Sequence, residues 1–121
     1  MAKVYSLRRK STLALRQRKL ALVRQLTVPP QAIRASVVEW FGTCGKPNCA
    51  CHHGRKHGPY YYLTQCLAPG QMRKFLLKSP AAQQSARAAT ASFNRFRDGL
   101  EELSQINTEL LRRGESLGAS R

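Results

Sequence analysis

The sequence of 121 residues predicts a small α+β protein, built from a three-stranded antiparallel sheet and a long C-terminal helix. Two observations lead to this prediction. Three short segments rich in β-branched and aromatic residues lie between residues 33 and 78, and turn residues separate them. From residue 80 onward, the apolar positions change to alternating steps of three and four, which is the spacing of a helix face.

Residues 1–28 are predicted to form a basic N-terminal arm or helix, because they contain eight Lys and Arg residues and no Asp or Glu. A helix is expected from about Ser11 to Leu26, and it could become ordered only on a partner. Pro29 and Pro30 then end any helix, because proline lacks the amide hydrogen that a helix needs. Residues 29–113 are predicted to form the folded domain, and residues 114–121 a tail.

The three predicted strands can be placed from composition and from the turns between them. A turn at residues 68–71 joins the second and third strands into a hairpin. Alternation in the second strand puts Tyr60 and Tyr62 on one face, which could be open to a partner if the other face covers the helix. For the first segment, a short helix after Pro30 is the alternative. The predicted strands are residues 33–42, 60–66 and 72–78.

Ser79 and Pro80 predict the start of the long helix, because serine caps helices and proline fits the first helical position. The helix is expected to continue to Arg113, and Gly114 to end it. Its apolar stripe could pack on the sheet, which we favour because the flanking positions lack opposed charges. It could also pair with a second copy as a coiled coil, with Asn107 at an a-type position. The stripe consists of Ala86, Ala89, Phe93, Phe96, Leu100, Leu103, Asn107 and Leu110.

A cluster of cysteine and histidine residues lies between the first two predicted strands, in the pattern C-x4-C-x-C-x5-H. Thiolate and imidazole are the ligands of tetrahedral zinc, and one short segment can wrap the ion at a small cost in chain entropy. Gly45 and Gly54 would provide the turns. The sequence therefore predicts one structural Zn²⁺ that staples this loop, and its ligands are Cys44, Cys49, Cys51 and His57.

The fourth ligand of this site has alternatives. His52, His53 and Cys66 also qualify, although the apolar neighbours of Cys66 predict a buried free thiol. Disulfides are an alternative to the metal, and an iron–sulfur cluster is disfavoured by the spacing. A closed four-ligand site leaves no position for water, and the only acid before residue 98 is Glu39. We therefore expect no enzymatic activity.

The formal net charge is +15, and most of the excess lies in the first two thirds of the chain. Such a charge predicts a polyanionic partner, and nucleic acid is favoured over an anionic membrane or an acidic protein. No signal peptide or membrane-spanning segment is expected, and the clustered cysteines favour the cytoplasm. An organelle transit peptide is an alternative for the N-terminus. The predicted nucleic-acid contacts are Arg8, Arg9, Lys10, Arg16, Arg18, Lys19, Lys46, Arg55, Lys56, Tyr60, Tyr62, Arg73 and Lys74.

The cysteine cluster and the segment after it resemble a family of small uncharacterised bacterial and archaeal proteins. The family pattern is T-C-G-K-x-x-C-x-C followed by H-G-P-Y-x-Y, and here Thr43 and Tyr62 are its first and last residues. The resemblance covers about residues 34–112 and excludes the basic N-terminus. Family members often occur near transposases. The resemblance therefore implies a mobile-element setting, favours DNA over RNA, and makes a transposase a candidate partner of the C-terminal helix.

Overall fold

The computed structural model describes residues 3–118. These residues form two α-helices, a three-stranded antiparallel sheet and a short 3-10 helix. The strand order β1-β2-β3 follows the chain, so each strand pairs with its neighbour in sequence. The predicted α+β class, with its sheet and long C-terminal helix, is confirmed. The elements are α1 (Thr12–Gln25), β1 (Ser36–Gly42), the 3-10 helix (Ala50–His53), β2 (His57–Ala68), β3 (Gln71–Leu76) and α2 (Pro80–Arg112).

The two ends of α2 follow the predicted local chemistry. The Ser79 hydroxyl accepts a hydrogen bond from the Ala82 amide at 3.0 Å, and Pro80 is the first helical residue. The helix ends at Arg112, one residue before the predicted end. Gly114 follows with φ of +77°, a conformation that terminates helices and that glycine adopts without strain. Neither α1 nor α2 combines the length and the apolar character that a membrane-spanning helix needs.

One compact unit joins the N-terminal residues up to Pro30 to the chain from Phe93 onward. Leu15 and Leu22 lie seven residues apart and therefore on one side of α1, where they are 0% and 3% exposed. They pack with Ile106 and Leu110 of α2. The sequence predicts a different division, with residues 1–28 as a basic arm or helix beside a folded domain of residues 29–113, and that division stays a prediction. The apolar side of α1 is thus buried against the part of α2 that belongs to the same unit.

The second compact unit is Gln31–Ser92, which contains the sheet and the first part of α2. Its core consists of Leu63 from β2, Leu77 from the end of the hairpin and Ala86 from α2. The main-chain amide of Ile33 donates a hydrogen bond to the carbonyl oxygen of Ala89 at 3.2 Å, which ties the segment before β1 to the helix. The loop between β1 and β2 belongs to this unit.

The apolar stripe of α2 was expected to pack on the sheet, but only its first part does so. A helix of 33 residues is about 50 Å long, whereas the six residues of β3 extend about 20 Å. Ala86 belongs to the core beneath the sheet, whereas Leu110 belongs to the core shared with α1. Ile106, which the sequence placed beside the stripe, is fully buried in that second core.

Candidate functional site

The loop between β1 and β2 folds through consecutive turns of its own main chain. The amide of Cys49 donates to the carbonyl oxygen of Lys46 at 3.2 Å, and the 3-10 helix begins at the next residue. Gly54 caps the end of this helix, with a φ of +100° that is strained for any residue with a side chain. Cys49 and Cys51 are therefore held at the start of the 3-10 helix, and the chain then turns back toward β2.

Four side chains from this loop and its flanks form the candidate metal centre. Their ligand atoms, the three sulfurs and one imidazole nitrogen, all lie within 4.8 Å of one another. The Sγ atoms of Cys44 and Cys51 are 3.6 Å apart, and Sγ of Cys49 is 3.2 Å from Nε2 of His57. A tetrahedral zinc ion with ordinary Zn–S bonds requires sulfurs about 3.8 Å apart. The donor set therefore fits a single ion of this size.

The surroundings of Cys49 favour its thiolate form, whereas burial of Cys51 opposes ionisation of its thiol. Hydrogen bonding from the main chain of Cys51, followed by bonding with neighbouring thiols, lowers the pKa of Cys49 to about 6. Cys51 is 2% exposed, and its burial raises the pKa of its thiol. The Cys44 amide also donates to Sγ of Cys51 at 3.2 Å. Cys49 is thus predisposed to be a thiolate at neutral pH, which is the form that binds a metal.

The other candidate ligands lie outside this cluster. His52 uses Nε2 to contact the carbonyl oxygen of Cys44 at 3.0 Å, and His53 is exposed. Cys66 is exposed on β2, and its thiol donates to the carbonyl oxygen of Ala68 at 3.4 Å. The prediction that Cys66 is buried was wrong, because strand alternation puts it on the face opposite to buried Leu63.

Three of the six N-terminal residues predicted to contact phosphates have partners within the protein. Arg18 makes two hydrogen bonds of 2.7 and 2.8 Å to the carboxylate of Glu102. Arg16 binds Glu115 at 2.9 Å. Lys19 donates to a main-chain carbonyl near the C-terminus at 2.9 Å. These three side chains are thus already used in holding α1 to the C-terminal part of the chain.

A second group of predicted contacts remains open to solvent. These six side chains are exposed, and none of them forms an ion pair within residues 3–118. Three of them precede α1, and the other three lie in the loop between β1 and β2, which we call the metal loop. This group consists of Arg8, Arg9, Lys10, Lys46, Arg55 and Lys56.

The predicted sheet contacts divide between the two faces. Tyr60 and Tyr62 lie on one face, together with Lys74, whose Nζ is 4.5 Å from the centre of the Tyr62 ring. Arg73 lies opposite Gln65 in the hairpin, and alternation puts both on the other face. Arg73 therefore does not share a surface with the two tyrosines.

The sequence interpretation missed Trp40 as a member of this surface. Trp40 lies opposite Tyr60 in the β1–β2 ladder, and their ring centres are 6.0 Å apart. Alternation along β1 shows which residues share a face with Trp40, but it does not show which residue of β2 lies opposite. The pairing register, which brings the two rings together, depends on the loop between the strands.

Residues 12–65 match a family model described as Domain of unknown function (DUF6788). The chain is similar to this family over that stretch. The match supports the expected similarity to an uncharacterised family, and it contains α1, β1, the metal loop and most of β2. It begins at Thr12, whereas the resemblance was expected to exclude the N-terminal helix. No curated protein and no solved structure matches the chain.

Proposed function

We propose that this chain is a small zinc-binding protein that binds nucleic acid and has no catalytic activity. The observation that carries the proposal is the cluster of three cysteines and one histidine, whose ligand atoms lie within 4.8 Å of one another. Zinc is the favoured metal because a Cys3His donor set with tetrahedral spacing is typical of structural zinc sites.

The proposed zinc ion has a structural role. Four protein ligands complete a tetrahedron, so no coordination position is left for an activated water. Cys44, Cys49 and Cys51 come from the loop, and His57 is the first residue of β2. The ion would therefore join the loop to the sheet, and in a domain this small such a link adds useful stability.

The proposed nucleic-acid binding is mainly electrostatic. It is supported by the net charge of +15 and by the six exposed basic residues before α1 and in the metal loop. DNA is favoured over RNA because relatives of the family that the sequence resembles often occur near transposases. Because of this occurrence near transposases, we also propose an accessory role in a mobile element. The proposed location is the cytoplasm, where thiols remain reduced and available to metal.

Metal content is the first test of the proposal. Elemental analysis of untagged protein should give one zinc per chain. Cys49→Ser should lose the metal, because it removes one of the four ligands. Cys66→Ser is the matched control and should retain it, because Cys66 lies outside the cluster. An absence of zinc in the wild-type protein, with four titratable thiols, would contradict the zinc site.

The dependence of DNA affinity on salt concentration tests the proposed nucleic-acid binding. Binding of a labelled DNA, measured by fluorescence anisotropy from 50 to 200 mM salt, should weaken steeply as salt rises. Replacing Arg8, Arg9 and Lys10 by Gln should reduce the slope of log affinity against log salt by about 0.7 to 0.9 for each lost phosphate contact. The matched control exchanges Lys and Arg at the same positions, which keeps the charge and should keep the slope. An affinity that is independent of salt rejects this part of the proposal.

A second candidate function is self-association through α2. The side chains of Leu100 and Leu111 are 50% and 63% exposed, and they line a groove that also contains Asn107. The Oδ1 atom of Asn107 is buried and has no hydrogen-bond partner within residues 3–118. Leu100, Ser104, Asn107 and Leu111 have the alternating spacing of a coiled-coil seam, in which asparagines of two copies can pair. The proposed occupant of this groove is therefore a second copy of the chain.

Sedimentation over micromolar concentrations tests this second candidate. A dimer that Asn107→Glu dissociates would support it, because the new charge would be buried in the seam. Asn94→Glu is the control, since Asn94 is an exposed residue of α2 outside the groove. A wild-type monomer throughout the concentration range would reject it.

A further inference from the structure

The sheet has an outer face, opposite to the one that packs on the first part of α2, and this face is rich in exposed aromatic and apolar side chains. Val38, Trp40 and Met72 on this face are 42%, 43% and 59% exposed. The opposite face contributes Leu63 to the core with α2. A contiguous apolar surface of this kind on a small protein usually marks an interaction site. We define the outer sheet face by its residues Val38, Trp40, Tyr60, Tyr62, Met72, Lys74 and Leu76, assigned from the strand pairing.

The aromatic rings of this face are held in place by their neighbours. The Trp40 indole lies over Gly42, where a Cβ atom would come within 1.8 Å of the ring. Its ring centre is 6.0 Å from that of Tyr60, and the two planes are tilted by 35°. Trp40 is thus supported from below by a glycine main chain and from the side by a tyrosine, which leaves part of its surface open.

Positive charge lies directly beside these rings. Lys74 Nζ is 4.5 Å from the centre of the Tyr62 ring, on the strand next to it. Lys46, Arg55 and Lys56 lie in the loop that connects Trp40's strand to that of Tyr60. A ligand that covers the rings would therefore meet the Lys74 ammonium group, and the combination of rings and cation suits flat apolar groups linked by anionic groups.

We propose that the outer sheet face binds single-stranded nucleic acid, with unpaired bases stacked on Trp40, Tyr60 and Tyr62 and Lys74 at a phosphate. This inference rests on the proposed nucleic-acid binding and names its substrate class. Bases in a duplex have both faces covered by their neighbours, so aromatic side chains can stack only on unpaired bases. Stacking is tolerant of sequence, because every base presents a flat face.

The only tryptophan of the chain, Trp40, provides a direct readout of this contact. Oligothymidylate of about twelve nucleotides, within the usual range of site sizes, should quench Trp40 fluorescence in the zinc-loaded protein. A duplex of the same length should bind more weakly and leave the emission nearly unchanged. Oligouridylate of the same length is the RNA counterpart. If it binds more tightly than oligothymidylate, RNA is the preferred ligand; if it binds more weakly, DNA is preferred.

Substitutions of the aromatic residues distinguish the contribution of base stacking to affinity from that of electrostatic attraction. Trp40→Ala and Tyr60→Ala should each weaken single-strand binding by about 5- to 150-fold in anisotropy measurements, and Trp40→Phe should retain most of the affinity. Phe41→Ala is the matched control. Phe41 is the next residue of β1, is 51% exposed, and is directed by alternation to the other face. Its replacement should leave binding unchanged, and zinc content verifies that each variant is folded.

The outcomes distinguish this inference from the proposed function. Quenching by a single strand, together with losses at Trp40 and Tyr60 but not at Phe41, supports it. A preference for duplex, or binding that is insensitive to Trp40→Ala, overturns it while the salt-dependent binding stands. If neither form binds at low salt, the proposed nucleic-acid function fails as well, and a protein partner becomes the occupant to test.

Discussion

Sγ of Cys49 lies 3.2 Å from Nε2 of His57, and His57 is also the residue of β2 that pairs with Gly42 of β1. The candidate metal centre and the sheet therefore share a residue. Trp40 and Tyr60 pair only a few residues farther along the same two strands. A metal bound at the cluster would thus fix the end of the ladder that carries the exposed aromatic pair.

Removal of the metal should change the surroundings of Trp40. Without an ion to hold His57 against the cysteines, the ends of β1 and β2 lose their common link, and the indole gains exposure to water. A chelator should therefore shift the emission of Trp40 to longer wavelength, and added zinc should reverse the shift. Cys49→Ser should show the shifted emission without chelator, and Cys66→Ser should behave as the wild-type protein. An emission spectrum that is the same with and without metal would contradict this coupling.

Gly42→Ala should displace the Trp40 ring. A Cβ at this position would lie 1.8 Å from the indole, so the ring must move or the strand must shift. We expect altered Trp40 emission and weaker binding of single strands, while the four ligands remain in place and zinc content stays at one per chain. Gly45→Ala is the control, because a Cβ there has no atom within 4 Å and φ is not in the left-handed range. Unchanged emission in Gly42→Ala would show that the ring is not held as described.

Local chemistry made several parts of the fold predictable from the sequence. Ser79 and Pro80 determine where α2 begins, because the cap and the fixed φ act within one turn of the helix. The predicted hairpin turn agrees with the structure, since β2 ends at Ala68 and β3 begins at Gln71. The cysteine cluster was equally local, because its members lie within 14 residues and their spacing alone indicates a common site.

The parts that the sequence did not predict depend on contacts between distant residues. Arg18 and Glu102 are 84 positions apart, so nothing near Arg18 indicates that its charge is already paired. Burial of Ile106 against α1 likewise depends on how two helices meet. The pairing of Trp40 with Tyr60 requires the strand register, and periodicity within one strand does not contain it.

Leu15→Ala should destabilise the protein strongly, because Leu15 is fully buried between α1 and α2. Truncation of a leucine in such a position costs about 2 to 5 kcal/mol of unfolding free energy. Leu13→Ala is the matched control, since Leu13 belongs to the same helix and is 65% exposed; its cost should remain below about 0.5 kcal/mol. Urea denaturation measures both. Equal effects of the two substitutions would show that α1 does not pack on the chain in solution.

Glu109 should make the protein sensitive to acid through its contacts with two arginines. Hydrogen bonds from Arg112 and Arg113 lower the pKa of Glu109 from the ordinary value of 4.5 to about 2. Arg113 in turn donates to the carbonyl oxygen of Lys10 at 2.7 Å, so the ion pair also holds the segment before α1. Because the folded state binds the proton less readily than the unfolded state, the stabilisation is complete above pH 4.5 and is lost as the pH falls toward 2.

Thermal unfolding between pH 7 and pH 2 tests this contribution by comparison of variants. Glu109→Gln should be less stable than the wild-type protein at neutral pH, and the difference should shrink as the pH falls below 4.5. Protonation of the metal ligands affects both proteins alike and so cancels in the difference. Glu101→Gln is the control, because Glu101 accepts a hydrogen bond from Gln105 and has no ion pair within residues 3–118. A difference between Glu109→Gln and the wild-type protein that stays constant down to pH 2 would show that this carboxylate is not linked to acid unfolding.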